Sequence, residues 1–164
     1  INGNTYSIDY KAARKPAEYQ LRIELPSIIT KKDLPSTEAV VNVFAGSSRS
    51  TVQMRVDLNS DWLPMTQARR PDPAFVQLKA REDWLVSILT ANISENERES
   101  FRIEKAPGAL EFYGGGLPRI ADTSHIWVST LPAELTPGVH VLYVHTTDMF
   151  GNQFESSRMF RVQE

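Results

Sequence analysis

Residues 131–162 read LPAELTPGVHVLYVHTTDMFGNQFESSRMFRV. Leu131 to Gly138, Leu-Pro-Ala-Glu-Leu-Thr-Pro-Gly, is a lead-in turn, and the run that follows alternates side chains to two faces as far as Thr147. Asp148-Met149-Phe150-Gly151-Asn152 then supplies a tight turn, and a second alternating run starts at Gln153. The pattern is a long antiparallel hairpin that closes a β-rich domain. Nothing reactive sits on it, so this stretch speaks of architecture before activity.

Working outward, the same period recurs. Tyr19, Leu21, Ile23 and Leu25 alternate and stop at Pro26. Val40, Val41, Val43 and Phe44 form a β-branched run closed by Gly46-Ser47-Ser48, and Val52, Met54, Val56 and Leu58 share one face beyond it. The two runs read as a hairpin over the Gly-Ser-Ser loop. His125 to Thr130 is a further strand, and Trp127 on it is expected to pack between sheets. Asn2-Gly3-Asn4 reads as a turn in mid-hairpin, and Thr5 to Tyr10 as a strand whose partner lies upstream. That suggests a fragment of a longer chain, with an open edge near Thr5–Tyr10 that would pair with a second chain.

Between residues 72 and 105 the period changes to that of a helix. Asp72-Pro73 is an N-cap followed by proline at the first helical position. Phe75, Leu78, Trp84 or Leu85, Ile88 and Leu89 then recur at helical spacing, with Trp84 expected to cover the sheets. Ser94-Glu95-Asn96-Glu97 matches a capping box for a second short helix to about Lys105, and Gly114-Gly115-Gly116 is a flexible joint. Seven or eight short strands with one helical insertion make a mainly β chain. The expected architecture is a single antiparallel β-sandwich domain of immunoglobulin or fibronectin type over residues 1–164.

Composition excludes several functions. The 164 residues carry a net charge of −2, which gives no electrostatic reason to expect nucleic acid or an anionic membrane. No apolar run is long enough to span a bilayer. With no cysteine there is no disulfide, zinc–thiolate site or thiol nucleophile. No serine stands in a Gly-x-Ser-x-Gly elbow, and Gly114-Gly115-Gly116 lacks the Lys-Ser/Thr of a phosphate loop. His140 and His145 lie five apart on one strand, so they point to opposite faces and cannot share a metal through it. Asp148 beside Gly151-Asn152 reads as a side-chain-stabilised turn in preference to a calcium ligand. Lys11, Arg14 and Lys15 form a small basic cluster, ordinarily a solvated loop, that would suit an anion.

Several strings carry more. Tyr10-Lys11-Ala12-Ala13, Lys15-Pro16-Ala17-Glu18-Tyr19-Gln20, Val41-Asn42-Val43-Phe44, Ser124-His125-Ile126-Trp127 and Thr147-Asp148-Met149-Phe150-Gly151 occur in order along nearly the whole chain. In these the chain resembles the C-terminal domain of bacterial calcineurin-like phosphoesterases. The resemblance implies an upstream catalytic domain with a divalent metal pair, and a periplasmic or extracellular protein. The Asp-x-His, Gly-Asp-x-x-Asp, Gly-Asn-His-Asp/Glu and Gly-His-x-His elements that hold such a pair are absent here, so the chain itself is expected to be non-catalytic and without cofactor. Its partner would be its own catalytic domain, whose substrate cleft it would help to shape. Lys11, Arg14, Lys15, His125 and Trp127 are the candidate rim or docking contacts. The alternative is a glycan- or surface-binding module, which needs exposed coplanar aromatics such as Trp62 or Trp127.

Overall fold

The computed structural model of the chain describes residues 10–90 and 116–164. Its contacts divide the chain into two units, residues 1–70 with 123–164, and residues 71–122.

The first unit holds β1 (Leu21–Glu24), β2 (Ile28–Thr30), β3 (Glu38–Val43), β4 (Thr51–Val56), β5 (Leu63–Pro64), β6 (Thr66–Arg70), β7 (Thr123–Thr130), β8 (Gly138–Thr147) and β9 (Gln153–Gln163). They form a four-stranded sheet in the order β1-β3-β7-β6 and a five-stranded sheet in the order β2-β9-β8-β4-β5. All pairings are antiparallel except β2 with β9. Alternation places Leu21, Ile23, Val41, Val43 and Trp127 from one sheet in a single buried cluster with Val52, Met54, Leu142, Val144 and Phe160 from the other. The mainly β, two-sheet expectation therefore holds.

The closing hairpin is as the sequence indicates. β8 and β9 pair from Gly138↔Val162 to Thr147↔Gln153. At the turn, Asp148 Oδ1 accepts from the backbone N–H of Phe150 (2.8 Å) and Asn152 (2.9 Å), while Oδ2 accepts from Asn152 Nδ2 at 2.9 Å. Gly151, at φ 88°, takes the left-handed position such a turn needs. Both carboxylate oxygens thus serve the turn.

The expected hairpin between β3 and β4 is corrected. β3 pairs with β1 and β7, whereas β4 pairs with β5 and β8 in the other sheet. The segment 44–50 is a crossover between sheets. Its path is fixed at Gly46, where a Cβ would stand 2.6 Å from two ring carbons of Trp127 and 2.8 Å from the Val43 carbonyl oxygen. The backbone is pressed against the indole, and only glycine leaves room.

In the second unit, α1 runs Pro73–Thr90. Asp72 caps it as expected: its Oδ1 accepts from Ala74 N at 3.0 Å and its carbonyl from Val76 N at 3.0 Å. Lys79 bridges Glu82 at 2.6 Å, and Glu82 Oε1 accepts from Leu117 N at 2.8 Å, tying the helix to the return segment. Trp84 is 59% exposed, and Leu78 and Leu85 are exposed as well. The reason is angular: at 100° per residue Val76, Leu78, Trp84 and Leu85 point to several sides, not one face. No helix among the described residues is long and apolar enough to cross a membrane. The expected strand Thr5–Tyr10 (save Tyr10), the second helix from Ser94, and Gly114 and Gly115 lie outside the described residues.

Candidate functional site

Register gathers one set of loops at one end of the two sheets. Leu21 pairs with Val43, Arg70 with Thr123, Thr51 with Thr147 and Thr147 with Gln153. The loop 10–20, the crossover 44–50 and the β8–β9 turn therefore share that end.

The loop 10–20 is built around one amide. Gln20 is buried, and its Nε2 donates to the carbonyls of Tyr10 and Ala17, both at 2.6 Å. Lys15 N donates to the Ala12 carbonyl at 3.1 Å, closing a turn in which Arg14 takes φ 62°. Phe44 anchors the loop from the crossover side: its ring lies 5.4 Å from that of Tyr10 and 5.1 Å from that of Tyr19, and Lys15 Nζ sits 5.3 Å over Tyr19. Between this loop and the β8–β9 turn lies a hollow of about 370 Å³, lined by Tyr10, Gln20, Ala45, Asp148, Asn152 and Phe154 among others. Burial would raise the Asp148 carboxyl, but the hydrogen bonds from Asn152, Phe150 and Gly151 outweigh it and hold it below the usual carboxylate range. The hollow thus presents an ionised acceptor, amides and two aromatic rings.

The five candidate contacts do not converge. Lys11, Arg14 and Lys15 are exposed on the loop beside the hollow. His125 is half-buried near the start of β7, its backbone N bonded to Thr123 Oγ1 at 3.2 Å and its Nδ1 buried without a hydrogen-bond partner. Trp127 is 2% exposed beneath Gly46 and offers no surface to a partner. Sequence reading missed Gln20, because a lone glutamine before a strand carries no distinguishing signal.

At the opposite end stands a second polar centre. His140 Nδ1 lies 2.7 Å from Asp57 Oδ2, and its Nε2 lies 2.7 Å from the Thr136 carbonyl oxygen. Both neighbours are acceptors, an arrangement that favours the doubly protonated, cationic imidazole. Burial opposes that charge, but the Asp57 hydrogen bond, the Thr136 carbonyl and the Asp57 charge raise the histidine above its ordinary value. Asp57, which burial would raise, is lowered by His140 and by the Val141 N–H. In its cationic form the ring has no lone pair for a metal or a substrate proton. As expected, His145 points the other way, its ring 6.0 Å from Trp62.

No group of three or more His, Asp or Glu among the described residues is arranged to hold a metal ion. The described residues do not fit a metal pair. A family model described as the C-terminal of calcineurin-like phosphoesterase matches residues 1–154. The chain belongs to that family. The match spans both the loop 10–20 and the β8–β9 turn, the two stretches that enclose the hollow. No curated protein and no solved structure matches the chain. The family's description suggests that such a domain belongs to a phosphoesterase, a hydrolase.

Proposed function

We propose that this calcineurin-like phosphoesterase C-terminal domain is a non-catalytic accessory domain of an exported, metal-dependent enzyme, periplasmic or extracellular. It packs on the catalytic domain and presents its loop end to the substrate cleft. The observation that carries this reading is the convergence of residues 10–20 and 147–154 on one hollow beside exposed Lys11 and Arg14. A phosphoester is anionic, and cations at the rim of its cleft raise its local concentration. The metal pair would belong to the catalytic domain and supply the activated water there; this domain contributes position and charge. The strand order β1-β3-β7-β6 facing β2-β9-β8-β4-β5 supports the immunoglobulin-like reading, since variable-type domains extend one of their two sheets in this way.

The rim is tested in the full-length parent by replacing Lys11, Arg14 and Lys15 with alanine together. Exposed charge contacts contribute up to about 1 kcal/mol each, so KM should rise roughly tenfold with kcat held within about twofold. Added salt should erase most of the difference. An unchanged KM at low salt would remove the rim from the cleft.

A further inference from the structure

The hollow at the loop end has a definite chemical polarity. Gln20 is 7% exposed, and its Nε2 commits both hydrogens to the Tyr10 and Ala17 carbonyls at 2.6 Å. That fixes the amide, nitrogen toward the loop and oxygen away from it. Oε1 accepts from no described residue, so it is left to the hollow that Gln20 lines. An unpaired oxygen on a buried side chain is costly, and a ligand's hydrogen would relieve it. Asn152 is set the same way: its Nδ2 donates to Asp148 Oδ2 at 2.9 Å, which leaves its own Oδ1 free. The ionised Asp148 carboxylate takes three hydrogen bonds from the turn and has room for about one more.

The lining is thus rich in acceptors, poor in donors and negative. An anion would meet the Asp148 charge with few N–H groups to receive it. A bare calcium ion wants roughly 6–8 oxygens, and one carboxylate already holding a turn is too little charge. At about 370 Å³ the hollow also has far more room than an ion fills, and it suits a small organic group. The rings of Tyr10 and Phe154 line it, and aromatic faces attract cations. A primary ammonium answers every feature, since it carries three donors, no acceptor and a positive charge. The loop's own cations leave the place open. Lys11, Arg14 and Lys15 are exposed outside the lining, and Lys15 Nζ lies 5.3 Å over Tyr19 instead.

We infer that the hollow between the loop 10–20 and the β8–β9 turn binds a primary ammonium group. Gln20 Oε1, Asn152 Oδ1 and the Asp148 carboxylate receive it, beside the rings of Tyr10 and Phe154. Its use rests on the accessory-domain reading above and deepens it: the group belongs to the substrate, an amine-bearing phosphoester. The negative hollow and the cations of the rim then sort the two ends of a zwitterion. A trimethylammonium group is a poorer occupant, because it has no N–H for Gln20 Oε1.

The test titrates the full-length parent with n-butylammonium, 1-butanol and butyltrimethylammonium, following each probe by saturation-transfer NMR. Butylammonium should bind at least about tenfold more tightly than butanol, which lacks the charge, and than the trimethyl probe, which lacks the N–H. Asp148→Asn should remove that preference; the Asn152 amide can turn over to keep its bond to position 148 while the charge is gone. Equal binding of butylammonium and either control by the wild type overturns the assignment, with no variant needed. A preference that survives in a folded Asp148→Asn protein overturns it as well. Inhibition kinetics then separate the site from its use. Butylammonium should compete with the phosphoester substrate of the parent. Preferential binding without competition keeps the ammonium site and removes this end of the domain from the substrate cleft.

Discussion

Replacing Gly46 with alanine is expected to destabilise the domain by roughly 1–3 kcal/mol, the usual range for overpacking a filled core. An added Cβ would meet two carbons of the Trp127 indole at 2.6 Å, inside any tolerable contact, and the Val43 carbonyl oxygen at 2.8 Å. Neither neighbour yields easily. Trp127 is 2% exposed between the sheets, and Val43 is paired with Leu21 in the four-stranded sheet. In a domain of this size each kcal/mol lowers Tm by about 2–4 °C, so thermal melts resolve the effect. The cause is then isolated by a double-mutant cycle. Trp127→Phe withdraws the far ring carbons, so Gly46→Ala should cost less in that background than in the wild type. Equal cost in both backgrounds would place the strain elsewhere in the crossover.

The second large effect belongs to His140 and Asp57. Asp57→Asn keeps the shape of the side chain and removes the charge that His140 faces at 2.7 Å. Hydrogen bonds to charged groups contribute about 1.5–3 kcal/mol. The Asp57 side chain is 48% exposed, so solvent screening brings the expected loss toward about 1 kcal/mol. Its pH dependence is the sharper signature. His140 is raised in the folded state, so its contribution is complete below the unfolded histidine value near ~6.5 and is lost as pH rises through the higher folded value. Asp57 is lowered, so its contribution is complete above ~3.9 and is lost as pH falls through the depressed folded value. The stability gap between wild type and Asp57→Asn should therefore be widest from about pH 4 to 6.5 and narrow on the alkaline side. A gap that stays flat from about pH 5 to 9 would mean that the charge pairing with His140 is not what separates the two proteins.

Much of the fold was legible because one face of each long strand is buried. β8 and β9 alternate over 10 and 11 residues around an Asp-Met-Phe-Gly-Asn turn, and the burial follows that alternation closely on β8. Asp72-Pro73 announced the start of α1 through cap chemistry that is local in sequence. What escaped notice was decided by neighbours. β6, Thr66–Arg70, is an edge strand with no buried residue, so it has no apolar period to read. β2 is three residues long and earns its place by parallel pairing with β9, a contact more than a hundred residues away. The β3–β4 crossover looked like a hairpin because Gly-Ser-Ser serves either connection; the indole pressed against Gly46 is a tertiary fact. At the candidate site, the basic loop and the β8–β9 turn could be named from sequence. Their meeting around Gln20 could not, and neither could the stacking of Arg55 over the rings of Trp62 and Tyr143, which needs β4, β8 and the chain before β5 side by side.

The most direct measurement is metal-dependent phosphoester hydrolysis by the full-length parent and by the same enzyme with this domain removed, metal content and folding of the remainder checked alongside. An accessory domain that completes the cleft predicts a fall in kcat/KM of at least about tenfold, or about 1.4 kcal/mol of lost transition-state stabilisation, with the catalytic domain still folded and metal-loaded. Unchanged kinetics in a folded, metal-loaded remainder would contradict it.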